Sequence, residues 1–202
     1  RGSGPELDTN AFPIELERDS RFYAISKRIV DIVGSLLALV LFGWLMCLIA
    51  IVVKLTSPGP VIYRQTRVGL GGRPFTFYKF RSMIDGAEAL MDKVRPLNTT
   101  GGPTFKHAAD PRMTPVGRVL RRTSMDELPQ LFNVLRGDMS LVGPRPPLPS
   151  EVQEYRDSEW KRLSVKPGIT CLWQVNGRSN LSFVRQVELD LALHDPRALG
   201  AG

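Results

Sequence analysis

Two adjacent acids, Asp126 and Glu127, are the side chains in this sequence with the clearest potential for chemistry. Arginines stand on both sides of them, with Arg121 and Arg122 just before and Arg145 among prolines further on. An ionised aspartate can attack phosphorus and form an acyl-phosphate. Arginines can stabilise the charge that develops on a phosphoryl group in transfer. The combination indicates phosphoryl chemistry and a site for phosphate together with a divalent cation, for which Asp126 is the candidate ligand.

A structural role accounts for the same acids without any chemistry. Ser124-x-x-Glu127 matches a capping box, and Asp126 is itself a good helix N-cap. Acids at the start of a helix are also stabilised by the helix dipole. On the local pattern alone the structural role is favoured, and it is the surrounding arginines that favour chemistry.

A predicted β-hairpin adds a lysine to this set. Segments 61–67 and 74–81 both alternate and are rich in β-branched and aromatic residues, with a glycine-rich connection between them. Lys79 alternates with aromatic residues in the second segment. Either it reaches a phosphate, or it extends toward lipid headgroups.

The remaining elements are predicted to be mainly helical. Apolar spacing predicts a short helix over 84–94 and a helix that starts near Asp126 and ends at Gly137. Further helices are predicted over 152–163 and 182–193. Loops and turns are predicted over 98–111, 143–147, 166–170 and 174–178.

An apolar run over 32–53 contains no charged residue and is long enough to cross a hydrocarbon core. Lysines and arginines flank it on both sides, whereas a membrane-spanning helix carries most of them on its cytoplasmic flank. We therefore favour a re-entrant helix, bent near Gly43, over a spanning one. Lys27 and Arg28 are predicted to contact lipid phosphate at the headgroup level.

Composition restricts the partners and the metals. The formal net charge of +7 suits an anionic partner such as phospholipid, nucleic acid or a phosphorylated substrate. Cys47 and Cys171 are the two cysteines, and they lie far apart in the sequence. A disulfide framework or a zinc site is therefore improbable, whereas oxygen-ligated magnesium stays possible.

Several of these motifs together resemble the bacterial monotopic phosphoglycosyl transferases. The run 120–146, which contains both acids and Arg145, is similar to the signature of that family. The match includes 78–83, 166–170 and 173–178, and it covers roughly 21–193. A resemblance of this length and order is far more specific than any one motif.

The resemblance implies a two-step reaction. Asp126 would attack the β-phosphate of a UDP-sugar, release UMP and carry the phosphosugar. A polyprenol phosphate would then accept that phosphosugar, with Glu127 assisting. Lys79, Arg121 and Arg145 match positions that the family uses for phosphate binding and active-site structure.

Further expectations follow from the same resemblance. Arg178, in the last matched motif, joins the substrate-binding set, and Mg²⁺ is the implied cofactor, with Asp126 as its ligand. The expected donors carry glucose or galactose, the acceptor is undecaprenyl phosphate, and the product starts exopolysaccharide or O-antigen synthesis. The expected location is the cytoplasmic face of the bacterial inner membrane, with phospholipid and no nucleic acid as partners.

The sequence departs from the family at two places. Many members break the membrane helix at Ser-Pro, whereas this chain has Gly43 and Trp44 there. Members usually continue into further amphipathic segments after the stretch 188–191, whereas this chain ends at Gly202. In similar members the catalytic domain follows several membrane helices and a soluble domain, so the chain is expected to be one part of a longer protein.

We predict an α+β fold that is mainly helical, with a small β-hairpin and an N-terminal re-entrant membrane helix. The expected units are an arm or linker over 1–20, a membrane-inserted segment over 21–56 and a cytoplasmic catalytic domain over 57–202. Two alternatives stay open: an anchored basic module that binds acidic lipid or nucleic acid, and an enzyme that transfers the bare sugar and releases UDP.

Overall fold

One helix of 36 residues, α1 (Arg21–Thr56), contains the predicted apolar run. The computed structural model describes residues 21–94, 110–155, 159–171 and 183–192. The helix is long and apolar enough to cross a membrane. It continues through Gly43, where no neighbouring atom lies within reach of an added Cβ. The predicted bend at this glycine stays a prediction.

The predicted hairpin is confirmed. Strands β1 (Ile62–Val68) and β2 (Pro74–Phe80) pair antiparallel, and a short 3-10 helix (Leu70–Gly72) joins them. The register sets Tyr63 directly opposite Lys79. Residues opposite each other in an antiparallel pair project from the same face, so these two side chains meet.

The helix predicted to follow Asp126 is present, but it begins as a 3-10 helix (Met125–Gln130) before becoming α4 (Leu131–Arg136). Pro129 lacks the N–H that an α-helix interior uses, so the tighter turn carries the chain past it. As predicted, α4 ends at Gly137, whose φ of 92° is the left-handed conformation common after helices.

The other helices are short. They are α2 (Met91–Val94) after a 3-10 turn (Ala87–Leu90), α3 (Pro115–Thr123), α5 (Pro149–Val152), a 3-10 helix (Trp160–Ser164) and α6 (Phe183–Ala192).

The single helix predicted over 152–163 is wrong. The chain leaves α5 after Val152, and Tyr155 and Trp160 then meet edge to face with their ring centroids 6.2 Å apart. In one continuous helix these two side chains would point about 140° apart. The helix therefore ends at Val152, and a turn over Gln153 and Glu154 leads out of it.

A second sheet was missed by the sequence analysis. Strands β3 (Ser140–Val142) and β4 (Gly168–Thr170) pair in parallel, where the sequence predicted a turn over 166–170. Three-residue strands are too short to show alternation. Glycine explains the close approach, because a Cβ on Gly168 would lie 2.1 Å from the backbone N of Gly143.

The first part of α1 is fixed to the small parallel sheet. The buried carboxylate of Asp31 accepts hydrogen bonds from Ser140 Oγ and from the Leu141 N–H, both at 2.9 Å. Lys27 Nζ donates to the same Ser140 Oγ at 2.6 Å and to the Val142 carbonyl at 3.2 Å. These are specific polar contacts between α1 and the rest of the chain.

The last part of α1 packs against the hairpin and α3. Ile49 and Val53 form a buried apolar cluster with Phe80 and Leu120. Just beyond the helix, the guanidinium of Arg81 donates to the Ser57 carbonyl at 2.6 Å. The two parts of α1 are thus held by different elements of the chain, the first by β3 and the last by the hairpin and α3.

The section of α1 between these two contacts is largely exposed. No residue between Ser35 and Ile49 is buried within the described structure. Large apolar side chains cover this section, namely Leu36, Leu37, Val40, Leu41, Phe42, Trp44 and Leu48. Such a surface is unsuited to water and suited to lipid. The described chain is mainly helical with small sheets, as the predicted α+β class requires.

Candidate active site

Asp126 lies in the 3-10 helix that follows α3, at a sharp change of chain direction. Ser124 makes this turn with a φ of 58°, a left-handed conformation that is uncommon for residues other than glycine. The predicted capping box is wrong, because the Ser124 side chain makes no capping hydrogen bond in the described structure. Instead the Glu127 N–H donates to the Ser124 carbonyl at 3.2 Å.

The Asp126 carboxylate is buried, with 6% of the residue exposed. Burial raises the pKa of this carboxyl, while Lys79, Arg121 and Arg145 act in the opposite direction. The structure therefore brings three of the four predicted phosphate-binding side chains around the predicted nucleophile. A carboxylate held in this way has positive, partly dehydrated surroundings, which suit an anionic substrate.

Arg121 is positioned by the approach of α3 to the end of β2. The helix is capped by Thr114 and touches the backbone at Ser82 through Gly117, where a Cβ would lie 1.8 Å from the Ser82 carbonyl oxygen. One turn further on, Arg121 Nε donates to Ser82 Oγ at 3.1 Å. Only glycine permits this approach, so Gly117 helps to direct Arg121 toward the acids.

Lys79 is half-buried on β2. Burial lowers the pKa of its ammonium group to about 7, with Arg121 and Arg67 acting in the same direction and Asp126 opposing them. Within the described residues Nζ makes no hydrogen bond, and its close neighbour is the ring of Tyr63 at 4.9 Å from the centroid. A bound phosphate would supply the missing acceptor. The phosphate-binding role of Lys79 stays a prediction, and its position beside Asp126 and Arg121 supports it.

Arg145 lies in a turn whose backbone is fixed at several points. Three hydrogen bonds hold it: Gly168 N–H to the Pro144 carbonyl at 2.8 Å, Arg67 to the Pro146 carbonyl at 2.9 Å, and Val68 N–H to the Pro147 carbonyl at 3.0 Å. The prolines add stiffness because each fixes its own φ. The backbone position of Arg145 is therefore fixed by the protein itself.

Arg67 also supports the site, and the sequence analysis missed this role. It was counted there only among the basic residues that flank the apolar run over 32–53. It is buried, with its guanidinium 5.3 Å from the centroid of the Phe77 ring. Burial lowers its pKa to about 10, and Arg145 contributes in the same direction. Strand alternation places Arg67 and Arg64 on opposite faces of β1, but it does not say which of the two arginines is buried.

Glu127 is half-buried beside the nucleophile. Burial and the neighbouring Asp126 raise the pKa of its carboxyl, while Arg145, Lys79 and Arg121 lower it. The two acids thus share one set of cations. A carboxyl with a raised pKa is suited to accepting and returning a proton near neutral pH.

Two other predicted residues lie away from this cluster. Lys27 bonds to β3 as described above, and Arg28 donates to the Val134 carbonyl at 2.6 Å and the Leu135 carbonyl at 2.7 Å in the last turn of α4. These protein acceptors give both residues a role in fixing α1, and their contact with lipid phosphate stays a prediction. Arg178 lies outside the described residues.

A divalent cation would have few protein ligands here. Among the described residues, no three His, Cys, Asp or Glu side chains cluster together. Mg²⁺ is commonly held by one or two carboxylates, with substrate phosphates and water completing its shell. The adjacent acids Asp126 and Glu127 fit that type of site and do not fit a site made by protein alone.

The described chain combines a helix that is long and apolar enough to cross a membrane with a buried acid surrounded by cations. This chain belongs to the bacterial sugar transferase family, whose sequence model matches residues 22–199.

Similar proteins include enzymes named as sugar or sugar-phosphate transferases. The chain is 45% identical over 170 residues to the galactosyl transferase CpsE of Streptococcus agalactiae. The aligned residues make up 84% of this chain and 38% of that protein. It is 44% identical over 179 residues to an undecaprenyl-phosphate galactose phosphotransferase of Salmonella typhimurium, covering 86% and 37%. It is 49% identical over 154 residues to the UDP-glucose:undecaprenyl-phosphate glucose-1-phosphate transferase of Escherichia coli, covering 75% and 31%. The chain therefore spans less than two fifths of the length of each of these relatives.

Proposed function

We propose that this chain transfers a sugar-1-phosphate, with glucose or galactose as the sugar, from a UDP-sugar to undecaprenyl phosphate. The observation that carries the proposal is the buried Asp126 carboxylate with Lys79, Arg121 and Arg145 around it. The names of the similar proteins support the donor and acceptor classes. The process served is the first membrane step of exopolysaccharide or O-antigen synthesis.

In the first step an oxygen of Asp126 attacks the β-phosphorus of the donor. A bond forms between the carboxylate and phosphorus, and the bond from phosphorus to the oxygen that bridges the two phosphates breaks. UMP leaves with that oxygen, and a phosphosugar stays on the enzyme as an acyl-phosphate. Lys79, Arg121 and Arg145 balance the negative charge of the two phosphates throughout.

In the second step an oxygen of the lipid phosphate attacks the same phosphorus, and the Asp126 carboxylate leaves. Glu127 accepts the proton of the acceptor phosphate when it arrives as the monoanion, a role that its raised pKa favours. The product is a lipid diphosphosugar, and the enzyme returns to its starting state when Glu127 releases that proton to water.

Asp126, with Glu127 beside it, would hold Mg²⁺ together with the donor diphosphate and water. When bound, the ion neutralises phosphate charge that would otherwise repel the attacking carboxylate.

We also propose that α1 enters and leaves the membrane by the cytoplasmic face, which would make the protein monotopic. Two anchors on one helix support this: Asp31 on β3, and Ile49 and Val53 on the hairpin and α3. A helix that crossed the bilayer would carry these anchors to opposite faces, where one small domain could not reach both. The exposed apolar section between the anchors is the part that would lie in lipid.

This topology predicts equal accessibility of the two ends of α1. In a Cys47→Ala background, Ala24→Cys and Lys54→Cys both place a cysteine at an exposed position. A membrane-impermeant maleimide should label both in inverted inner-membrane vesicles and neither in intact spheroplasts. Arg118→Cys, on exposed α3, marks the face of the catalytic domain. Labelling of Ala24→Cys from the opposite side to Arg118→Cys would show that the helix spans the membrane.

The identity of the nucleotide product tests the reaction itself. Purified protein in detergent, mixed with UDP-glucose or UDP-galactose, undecaprenyl phosphate and Mg²⁺, is expected to release UMP. Release of UDP would instead indicate transfer of the bare sugar. No turnover with either donor, combined with lipid affinity that falls steeply with salt, would indicate the anchored basic module.

A further inference from the structure

Tyr63 presents the face of its ring to the ammonium group of Lys79. The two residues are opposite each other in the hairpin, and Nζ lies 4.9 Å from the ring centroid. That distance is within the range of a cation–π interaction, which is stronger when both partners are shielded from water. Tyr63 is half-buried and Lys79 is half-buried as well.

The Tyr63 ring is held on its far side by a second set of contacts. Its hydroxyl donates to Glu88 Oε1, in the 3-10 turn before α2. That turn is fixed in part by Arg112, which donates to the Ala87 carbonyl at 3.3 Å. A buried ion pair with Asp110 at 2.6 Å holds Arg112. Burial, and then the bond to Glu88, raise the pKa of the Tyr63 phenol, so it stays a donor at neutral pH.

We propose that Tyr63 is a positioning residue for Lys79, and that it holds the ammonium group toward the donor diphosphate. This inference rests on the proposed function. Glu88 acts one step further away, by fixing the orientation of the Tyr63 ring.

The physical need for such a residue follows from the surroundings of Lys79. Its stem has four rotatable bonds, and the nearby cations Arg121, Arg67 and Arg145 all disfavour a charged ammonium group there. A carboxylate partner would stabilise the charge but would also occupy its N–H donors. An aromatic face attracts the cation without a carboxylate acceptor, so N–H groups that point away from the ring stay available for phosphate oxygens.

A double-mutant cycle distinguishes this role from simple packing. Tyr63→Leu is expected to lower kcat/KM for the UDP-sugar about tenfold, because the cation–π contact is lost. Tyr63→Phe keeps the ring and should stay within about threefold of the wild type. In a Lys79→Met background, Tyr63→Leu should change kcat/KM by less than about twofold, since no cation is left to position.

Tyr78→Leu is the matched control. Tyr78 is the neighbour of Lys79 on β2, and its ring contacts Arg136 at 5.3 Å, outside the acid cluster. This variant should keep kcat/KM within about threefold of the wild type, and thermal unfolding should show that all variants are folded. Equal losses from Tyr63→Leu in the two backgrounds, or no loss in either, would overturn the positioning role while leaving the proposed function intact. Absence of UMP release from the wild type would overturn the proposed function, and the inference with it.

Discussion

Asp126→Asn is expected to lower UMP release from the UDP-sugar by about three orders of magnitude or more, as loss of a covalent nucleophile does in other enzymes. The amide has nearly the shape of the carboxylate but cannot form the acyl-phosphate. The measurement is the initial rate of UMP formation with donor, acceptor and Mg²⁺ present. Asp85→Asn, which neutralises an exposed carboxylate outside the site, is the control and should keep the rate within about threefold.

The stability of Asp126→Asn provides a second, independent readout. Burial raises the folded-state pKa of Asp126 above its ordinary value, so the ionised form opposes folding at pH 7. The destabilisation caused by the ionised Asp126 is fully present above the folded-state pKa and is absent below the unfolded-state pKa. At pH 7 the melting temperature of Asp126→Asn should therefore be no lower than that of the wild type. A variant that keeps UMP release near the wild-type rate would contradict the role of Asp126.

Arg121→Met is expected to lower kcat/KM for the donor by about 10²- to 10³-fold, the usual cost of removing one preorganised donor from developing charge. Arg121 is directed into the site by its hydrogen bond to Ser82 and lies close enough to Asp126 to affect its pKa. Methionine retains much of the length of the side chain and removes the charge. Steady-state UMP release over a range of donor concentrations provides the measurement.

Arg122→Met is the matched control, because Arg122 is the next residue on the same helix and is exposed. It should stay within about threefold of the wild type in detergent solution. Equal losses in Arg121→Met and Arg122→Met would indicate a general effect of positive charge on α3. Such a result would contradict a specific phosphate contact by Arg121.

The acids and cations of the candidate site could be chosen from the sequence because the run that contains them resembles a family signature, whereas the local pattern alone favoured a structural role for the acids. The alternation in the hairpin also predicted the strand that carries Lys79. Once that hairpin is accepted, its register sets Tyr63 opposite Lys79. The capping-box interpretation of Asp126 and Glu127 failed, because Ser124 adopts a left-handed turn that local pattern does not foretell.

What could not be predicted depends on contacts between residues far apart in the chain. Asp31 looks like an isolated acid at the edge of an apolar run, and only the fold shows its bonds to Ser140 and Leu141. Arg67 is buried because the turn around Arg145 returns to the end of β1. Strands as short as β3 and β4 show no periodicity in the sequence. Their pairing depends on the close approach of two backbones, which glycine permits and which the sequence does not reveal.

The covalent bond between Asp126 and phosphorus is open to direct measurement by intact-protein mass spectrometry. The protein is mixed with UDP-glucose or UDP-galactose and Mg²⁺, without acceptor lipid, and quenched under conditions that preserve acyl-phosphates. The wild type should gain the mass of a hexose phosphate, Glu127→Gln should gain it as well, and Asp126→Asn should not. Turnover in the presence of acceptor with no such adduct at any time after mixing with donor would contradict the mechanism.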